Sequence, residues 1–371
     1  MSKSILVTGG AGFIGSWLSD QLLADGHRVR ALDLLTPQVH GAERRRPVYL
    51  NPNVELVEGD VRDPDAVRRA LDGVDGVYHL AAAVGVGQSM YEIAGYTSIN
   101  NLGTAVLLEA LAEHPVERLV VASSMSIYGE GMYEDARGEL SPGKRRSREQ
   151  LQRGEWELLG PDGDALSPVP TDETKQPDLS SVYALSKYDQ ERLCQMVGEA
   201  YGIPTTALRF FNVYGPRQAL SNPYTGVLAI FAARLLNDNP PSIFEDGLQQ
   251  RDFVSVRDVA RACRLAYDSK AAVGEVINVG TGQAYTIAGI ARLLGEAAGR
   301  PTTPEVTGKY RVGDIRHCVA DVGLAERLMG YRPEVDMSNG MTELVEWLAT
   351  TSAVDRVVEA SAELQRRGLT L

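Results

Sequence analysis

Thr8-Gly9-Gly10-Ala11-Gly12-Phe13-Ile14-Gly15 is a glycine-rich turn between two periodic segments of the chain. The apolar run Ile5-Leu6-Val7 precedes it, and leucines 18, 22 and 23 follow it at helical spacing. This order predicts a strand, a tight turn and a helix. Glycines at positions 9, 12 and 15 allow the backbone to turn tightly and to approach a pyrophosphate, which would lie at the positive end of the helix. The stretch therefore predicts the first unit of a dinucleotide-binding fold.

The second predicted strand ends in an acidic residue. Arg28-Val29-Arg30-Ala31-Leu32 leads into Asp33, at the distance from the glycine turn where a carboxylate meets the ribose hydroxyls of an adenosine. Because a carboxylate there would repel a 2′-phosphate, the sequence favours NAD over NADP. The alternative is an acid that merely ends a strand.

Residues 57–61 and 77–83 each continue the pattern of a strand followed by a loop. Both loops would lie at the carboxyl edge of a parallel sheet, where ligands bind in such folds. We expect the first loop to flank the adenine and the second to let the cofactor lie against the backbone. The residues predicted to contact the cofactor at these loops are Asp60, Val61, Leu80, Ala81 and Ala82.

The alternation of strands and helices continues through residue 210 and then changes to shorter elements. It predicts an α/β fold, a Rossmann-like doubly wound parallel sheet with a smaller C-terminal substrate-binding lobe. A stretch rich in charge, Gly and Pro interrupts the alternation, and we expect it to cap the substrate pocket or a neighbouring subunit. The predicted parts are 1–210 for the NAD-binding domain, 131–167 for its insert, 246–272 for a return to it, 211–350 for the lobe and 351–371 for a helical C-terminal extension.

Composition excludes several classes of function. A formal net charge of −12 argues against a general nucleic-acid surface, which needs a basic face. The three cysteines match no metal or disulfide spacing, so we expect no metal site. No apolar run reaches membrane-spanning length, and the first residues run into a predicted strand rather than a signal peptide. We therefore expect a cytoplasmic protein without a membrane partner.

Tyr183 and Lys187 lie four residues apart, which places a phenol and an ammonium on one face of a predicted helix. A nearby cation favours a phenolate, so such a tyrosine can exchange a proton with a substrate hydroxyl. Ser124 follows a predicted strand, where its hydroxyl can hydrogen bond to the same substrate oxygen. On its own, the spacing is also typical of a half-exposed helix face.

Taken in order, six segments resemble the extended short-chain dehydrogenase/reductases that act on nucleotide sugars. The resemblance covers roughly residues 4 to 345. Its segments are the glycine turn, Asp33, the segment around Ser124, Tyr183-x-x-x-Lys187, Phe211-Asn212-Val213-Tyr214-Gly215-Pro216-Arg217 and Arg251-Asp252-Phe253-Val254-Ser255-Val256-Arg257-Asp258-Val259. The resemblance implies a homodimer formed through two helices per subunit, one of them the helix that carries Tyr183.

The resemblance also implies roles for individual residues. The catalytic set is Ser124, Tyr183 and Lys187, with Lys187 also on the nicotinamide ribose. The full set of expected cofactor contacts is Gly9, Gly12, Phe13, Ile14, Gly15, Asp33, Asp60, Val61, Leu80, Ala81, Ala82, Asn100, Tyr183 and Lys187. The expected substrate contacts are Val84, Ser124, Ser126, Tyr183, Asn212, Phe244, Arg251, Arg311 and Asp314, with the arginines on the diphosphate and Phe244 near the base. The alternative interpretation is that Arg251 and Arg311 form ion pairs at the surface and do not bind the diphosphate.

The neighbours of Ser124 indicate which reaction to expect. Members of this family that dehydrate 4-keto sugars have an Asp-Glu pair directly after the catalytic Ser or Thr, and decarboxylases tend to have a Glu at the second position. Here Met125 and Ser126 stand at those positions, and neither can act as the required acid or base. Transient oxidation at C4, rotation of the keto sugar and re-reduction remain. The sequence thus predicts an NAD-dependent nucleotide-sugar 4-epimerase.

Substrate identity stays open at this point. Residues 82–91 and the insert are most similar to epimerases of a dTDP-6-deoxyhexose such as dTDP-L-rhamnose. Val84 stands where typical UDP-galactose epimerases have a Lys. The alternatives are a 4-epimerase of UDP-glucuronate, UDP-galactose or a GDP-sugar, a nucleotide-sugar 4-ketoreductase, and a non-catalytic NAD-sensing regulator on the same fold.

Overall fold

Seven parallel strands form the central sheet of the computed structural model, which describes residues 2–311 and 313–370. The strands are β1 Ser4–Thr8, β2 Arg28–Asp33, β3 Glu55–Glu58, β4 Gly76–His79, β5 Arg118–Ser124, β6 Thr205–Phe210 and β7 Val276–Val279. Their order across the sheet is β7-β6-β5-β4-β1-β2-β3. The order reverses between β1 and β4, and ligands of doubly wound sheets bind in the crevice at such a point. The predicted Rossmann-like fold is confirmed.

In the part of the chain that the structure describes, fourteen α-helices surround this sheet and build the smaller lobe. They are α1 Phe13–Ala24, α2 Pro37–His40, α3 Pro64–Leu71, α4 Val86–Ser89, α5 Ile93–Tyr96, α6 Gly103–Glu113, α7 Arg148–Gln152, α8 Val182–Tyr201, α9 Val227–Leu236, α10 Val256–Asp268, α11 Ile287–Ala297, α12 Gly323–Met329, α13 Met337–Leu348 and α14 Val357–Arg366. A π-helical turn at Thr97–Leu102 leads into α6, and a 3-10 turn at Met125–Tyr128 follows β5. Among the helices that the structure describes, none has both the length and the apolar composition needed to cross a membrane.

Alternating side chains of the strands fill two cores, one on each face of the sheet. In β1, Ile5 and Val7 join the core beneath α1, α10 and α12, while Leu6 joins the core beneath α3, α6 and α8. In β5, Val120 likewise joins the first of these cores and Leu119 joins the second. Strands that are buried on both faces read as continuous apolar runs, as parallel sheets require.

Part of the predicted lobe belongs to the central sheet instead. The sequence placed residues 276–279 in the second lobe, whereas β7 pairs in parallel with β6 as the edge strand of the sheet. Within the predicted return at 246–272, α10 packs on α1, and α12 packs into the same core, whereas Gln250–Arg251 and Phe253–Ser255 pair with short strands outside the central sheet. Sequence pattern identified the β7 strand but not its distant partner, because pairing depends on contacts far apart in the chain.

Short strands and three helices make up the lobe proper. Apolar side chains of α9, α11 and α13 form its core, together with Tyr214 and Phe253. The parallel pairs are Asn212–Tyr214 with Phe253–Ser255 and Ser242–Ile243 with Glu305–Val306, and a three-stranded sheet joins Tyr285–Thr286, Gln250–Arg251 and His317–Cys318. The insert forms its own antiparallel sheet from Met132–Glu134, Leu140–Pro142 and Ser167–Val169.

A buried ion pair fixes α8 against the sheet. Glu191 on α8 accepts hydrogen bonds from Nε and Nη2 of Arg209 on β6, at 2.9 and 2.7 Å. It also accepts one from Oγ of Ser123 on β5, at 2.6 Å. Both charged side chains are buried, and the Arg209 guanidinium also lies 4.8 Å above the ring of Tyr128. The pair therefore holds the helix that carries Tyr183 and Lys187 at a set distance from the strand that ends at Ser124.

Replacing Glu191 with Ala should lower the free energy of unfolding by about 3–5 kcal/mol, because it leaves the Arg209 cation buried without its counter-charge. Urea unfolding followed by circular dichroism measures the change. Glu117→Ala is the control, since Glu117 pairs with Lys3 at the surface and such pairs contribute at most about 1 kcal/mol. Equal losses for the two variants would contradict the role assigned to the buried pair.

Candidate active site

The glycine turn is packed tightly on one side and open on the other. Gly9 has a positive φ of 69°, and a Cβ atom there would lie 3.0 Å from the Cα atom of Ala81. A Cβ at Gly15 would lie 2.4 Å from the Gly9 carbonyl oxygen. A Cβ at Gly12, the N-cap of α1, would meet only that carbonyl oxygen, at 3.2 Å. The open side at the start of α1 fits a pyrophosphate, and Phe13 and Ile14 form the first turn of this helix.

Asp33 lies beside this turn at the carboxyl end of β2. Its Oδ2 accepts a hydrogen bond from the Ala11 amide at 3.0 Å, and its Oδ1 accepts one from the Leu35 amide at 2.9 Å. Nε2 of His40 lies 3.6 Å from Oδ1. The carboxylate is thus held in place by backbone donors next to the phosphate site, which fits recognition of a ribose diol.

The other predicted cofactor residues lie at the same edge of the sheet. Leu80, Ala81 and Ala82 follow β4 directly. Asp60 follows β3, and its carboxylate accepts hydrogen bonds from the Arg62 side chain, which hold its pKa below the usual value. Val61 is buried in the core, where it contacts the start of α6. A contact of Asp60 and Val61 with the adenine stays a prediction.

Ser124 and Tyr183 face each other across the end of β5. Oγ of Ser124 lies 2.8 Å from Oγ of Ser126 and accepts a hydrogen bond from the Ser126 amide at 3.2 Å. Tyr183 stands in the first turn of α8, which Ser181 caps by accepting a hydrogen bond from the Ala184 amide. Desolvation raises the pKa of the Tyr183 phenol, and the neighbouring Ser124 hydroxyl lowers that pKa in part.

Lys187 is fully enclosed one turn further along α8. Its Nζ donates a hydrogen bond to Oε1 of Gln190 at 2.6 Å, and burial lowers its pKa to about 8. The sequence predicted that Lys187 holds the pKa of Tyr183 low, but the structure shows a raised pKa for Tyr183 and identifies Ser124 as the group that opposes the shift. The physical reason is that burial acts on both side chains and favours the neutral form of each.

A buried polar chain continues from Lys187 into the sheet. Nε2 of Gln190 donates to Oγ1 of Thr104 at 2.8 Å, and Thr104 lies 2.9 Å from Nε2 of His79. Nδ1 of His79 lies 2.8 Å from Oγ1 of Thr8 on β1. Burial lowers the pKa of His79 to about 3, so its ring is neutral and structural. This series of hydrogen bonds connects Lys187 to β1, the strand before the glycine turn.

Asn100 joins the loop after β4 to α8. Its Oδ1 accepts a hydrogen bond from the Ala83 amide at 2.7 Å, and its Nδ2 donates to the Ala83 carbonyl at 3.1 Å and to Oγ of Ser186 at 2.9 Å. Val84 follows directly and is about half exposed, at 52%. Ser89, further along the same segment, is attached to the start of α8, because its Oγ accepts a hydrogen bond from the Tyr183 amide at 3.0 Å.

Sequence analysis assigned no role to three of these supporting residues, Ser89, Gln190 and Glu191. Only a weak signal was available for the last two. They follow Lys187 by three and four residues, so their polar side chains share its helix face. Polar residues on a buried face require partners, but the sequence does not say which.

The residues predicted for the nucleotide lie together in the lobe. Nη2 of Arg251 and Nε of Arg311 lie 3.7 and 3.4 Å from the carboxylate of Asp314. The Arg311 guanidinium lies 4.8 Å from the centre of the Phe244 ring. Burial raises the pKa of Asp314, but Arg311, Arg251 and Arg146 together outweigh it and hold that pKa below its usual value. Two guanidinium groups beside an aromatic ring suit a nucleoside diphosphate.

Asn212 comes directly after Phe211 at the end of β6. Its backbone amide donates to the Asp252 carbonyl at 3.0 Å, and its strand pairs with Phe253–Ser255. Its side-chain oxygen is buried, and within residues 2–311 and 313–370 it has no hydrogen-bond partner. A buried acceptor of this kind is costly unless a donor reaches it.

The insert docks at the nucleotide end of the site. Nη2 of Arg146 donates to Oε1 of Glu245 at 2.9 Å and to the Asp314 carbonyl at 3.3 Å. Oε2 of Glu157 lies 2.9 Å from Nε2 of His317, and Glu157 also pairs with the buried Arg316. The insert therefore supports the segments that carry Phe244 and Asp314, and these contacts do not involve Tyr183.

The lowered pKa of Lys187 predicts a pH-dependent effect of removing it. In the wild type, charged Lys187 costs stability at all pH values below about 8, and this cost fades as the pH rises from about 8 to the ordinary lysine value. Lys187→Met should therefore gain melting temperature relative to wild type at pH 7 and lose that relative gain at pH 10. Loss of the hydrogen bond to Gln190 changes the melting temperature of the variant at both pH values. The quantity compared is therefore how much the melting temperature relative to wild type changes between pH 7 and pH 10. A difference independent of pH would contradict the lowered pKa.

Comparison with known proteins agrees with this geometry. A dTDP-L-rhamnose 4-epimerase of Burkholderia thailandensis is 37% identical over 94% of this chain and 95% of its own length. A solved UDP-glucose 4-epimerase of Thermotoga maritima with UDP-glucose is 32% identical, covers 94% of this chain and 99% of its own, and has a TM-score of 0.76. The corresponding enzyme of Thermus thermophilus in complex with NAD is 33% identical over 93% of this chain and 99% of its own, with a TM-score of 0.74.

The model of the NAD dependent epimerase/dehydratase family matches residues 5–149 and 157–280. These ranges contain the glycine turn, Asp33, Ser124, Tyr183 and Lys187. NAD is the cofactor of that family, and the open side of the glycine turn and the fixed carboxylate of Asp33 fit it. The chain belongs to the NAD dependent epimerase/dehydratase family.

Proposed function

We propose that this chain is a nucleotide-sugar 4-epimerase whose substrate is a dTDP-6-deoxyhexose such as dTDP-L-rhamnose. One observation carries the choice of reaction. Met125 is buried among Tyr128, Phe211 and other apolar side chains, and the Ser126 hydroxyl hydrogen bonds to Ser124. These are the positions where elimination or decarboxylation would need a carboxylic acid, and neither side chain has one.

The catalytic residues then have separate tasks. Bound NAD supplies the hydride acceptor and donor for C4 of the sugar. Tyr183, as its phenolate, takes the proton of the C4 hydroxyl and later returns it, and Ser124 hydrogen bonds to the same oxygen. Lys187 is assigned to the nicotinamide ribose. Because Glu191 and Asn100 hold α8 against β5 and the loop after β4, Tyr183 needs no large movement to serve both directions of the reaction.

The nucleotide-binding end accounts for how an acidic protein binds an anion. We assign Arg251 and Arg311 to the diphosphate, Asp314 and Asn212 to the diphosphate and nucleoside ribose, and Phe244 to the base. The two arginines share the one carboxylate of Asp314, so these three groups together carry a net positive charge, although the net charge of the chain is −12. The unpartnered Asn212 oxygen supports its assignment, because a ligand hydroxyl can donate to it.

A UDP-hexose is the second candidate substrate. The UDP-glucose 4-epimerase of Thermotoga maritima was solved with UDP-glucose and shares 32% of its residues with this chain. Val84 is half exposed beside the site, where a typical UDP-galactose epimerase has a Lys, and this favours a less polar sugar such as a 6-deoxyhexose. A 4-ketoreductase and a NAD-sensing regulator are the remaining alternatives. The ketoreductase would differ from an epimerase in releasing NAD readily, and the regulator would differ in lacking turnover.

We also propose a cytoplasmic homodimer. Helix α8 exposes Leu185 and Met196, and apolar side chains on an outward helix face support pairing with a second copy. All three cysteines are free and buried, which agrees with a reducing compartment. Light scattering after gel filtration measures the assembly, and a mass equal to one chain would contradict the dimer.

Tyr183→Phe should abolish turnover, with a loss of at least about 100-fold, because the phenylalanine ring has no proton to exchange. NAD content should stay at the wild-type level, since α8 and the glycine turn are unchanged. Absorbance after gel filtration and protein denaturation measures the bound NAD. Turnover within about tenfold of wild type would contradict the role of Tyr183.

A panel of dTDP-, UDP- and GDP-sugars tests the substrate, with products distinguished at C4 by proton NMR. We expect inversion at C4 of the dTDP-6-deoxyhexose, without added cofactor and without net reduction. Conversion of UDP-hexoses alone would favour the second candidate. Net consumption of NADH would indicate a ketoreductase, and no conversion with any sugar would contradict the enzyme assignment.

A further inference from the structure

The C-terminal segment, residues 354–370, leaves the lobe and crosses to the other side of the site. Its start is fixed to the lobe, because the Val354 amide donates to Oγ of Ser221 at 3.0 Å. Asp355 accepts hydrogen bonds from Arg234 at 3.4 Å and from Asn239 at 2.9 Å. From this anchor, α14 continues away from the core of the lobe.

The end of α14 packs on the loop that follows β4. Leu364 is buried, with its methyl groups 3.4 and 3.5 Å from the position of a Cβ on Gly87. The Arg367 guanidinium lies 4.3 Å from the centre of the Tyr91 ring. The Tyr91 hydroxyl hydrogen bonds to the Tyr224 hydroxyl at 2.6 Å. The helix thus presses on residues 85–91 from outside.

Residues 85–91 form the wall next to the catalytic tyrosine. Ser89 accepts a hydrogen bond from the Tyr183 amide, and Gly85 follows Val84, the predicted sugar contact. A Cβ on Gly85 would lie 2.9 Å from the Cβ of Tyr224, so this loop already packs closely on the lobe. A shift of Tyr91 would therefore reach both Val84 and Tyr183.

The last described residue of the segment reaches the opposite end of the site. Thr370 is buried and forms an antiparallel backbone bridge with Arg311. Arg311 in turn lies over Phe244 and beside Asp314. One short segment therefore touches the sugar end through Tyr91 and the nucleotide end through Arg311.

We propose that the C-terminal segment is a positioning element for the nucleotide sugar, which sets the spacing between the loop at 85–91 and Arg311. A ligand that spans both walls binds more tightly when their spacing is fixed in advance, because less order is lost on binding. The proposal rests on the proposed function for the identity of the ligand. It does not require the segment to touch the reacting atoms.

Two variants test the two contacts separately. Arg367→Ala removes the cation above Tyr91, and deletion of residues 368–371 removes the bridge to Arg311. We expect each to raise KM for the nucleotide sugar about fivefold, with kcat and bound NAD within about twofold of wild type, as loss of a cation–π contact or of preorganisation predicts. Arg367→Lys should restore part of the change, since a lysine ammonium can also lie over the ring.

Arg366→Ala is the matched control. Arg366 and Arg367 both pair with Glu363, but the Arg366 side chain is 74% exposed. The control should therefore keep KM at the wild-type value. An unchanged KM in both test variants, or an equal rise in the control, would overturn the proposal. If the deletion does not fold, Arg367→Ala with its control still decides the matter.

Binding of dTDP and UDP, measured by calorimetry, separates this proposal from the proposed function. The deletion should weaken binding of the nucleotide that the wild type binds, whether or not any sugar is turned over. Weakened binding together with an inactive wild type would contradict the epimerase and leave the positioning role standing. Normal binding in the deletion variant together with an active wild type would contradict the positioning role and leave the epimerase standing.

Discussion

The Glu191 carboxylate is the contact on which the geometry of the site depends. It joins β5, β6 and α8 through Ser123 and Arg209, in a place where neither charge reaches water. The reacting hydroxyls of Ser124 and Tyr183 belong to different elements, so their separation depends on how α8 lies on the sheet. A buried charge pair adds little net stability, but breaking it is costly, and it therefore fixes one arrangement of the helix.

Local motifs made much of the site predictable. The glycine turn, Asp33 and the Tyr183–Lys187 spacing each follow from backbone needs or side-chain chemistry within a few residues. Gln190 and the strand β7 show the limit, because Thr104 and β6 lie far from them in the chain. The pKa of Tyr183 shows a second limit, since spacing predicted the effect of a cation and could not supply the degree of burial.

Charge is distributed so that the two ends of the site differ. At the nucleotide end, Arg251, Arg311 and Asp314 form a partly exposed cluster that the insert supports through Arg146. At the catalytic end, Lys187 is enclosed, and burial lowers its pKa to about 8. An anion is thus attracted where solvent is present, while the reacting hydroxyls lie where water is scarce and electrostatic interactions are stronger.

The packing of Met125 has an evolutionary consequence. Its side chain lies in an apolar cluster with Tyr128, Phe211 and Cys318, and only 7% of the residue is exposed. A carboxylic acid introduced at this position alone would enter a site that cannot solvate it. Divergence of this sequence towards elimination chemistry would require its neighbours to change first. The side chains that pack around Met125 therefore also disfavour the acid that elimination would need at this position.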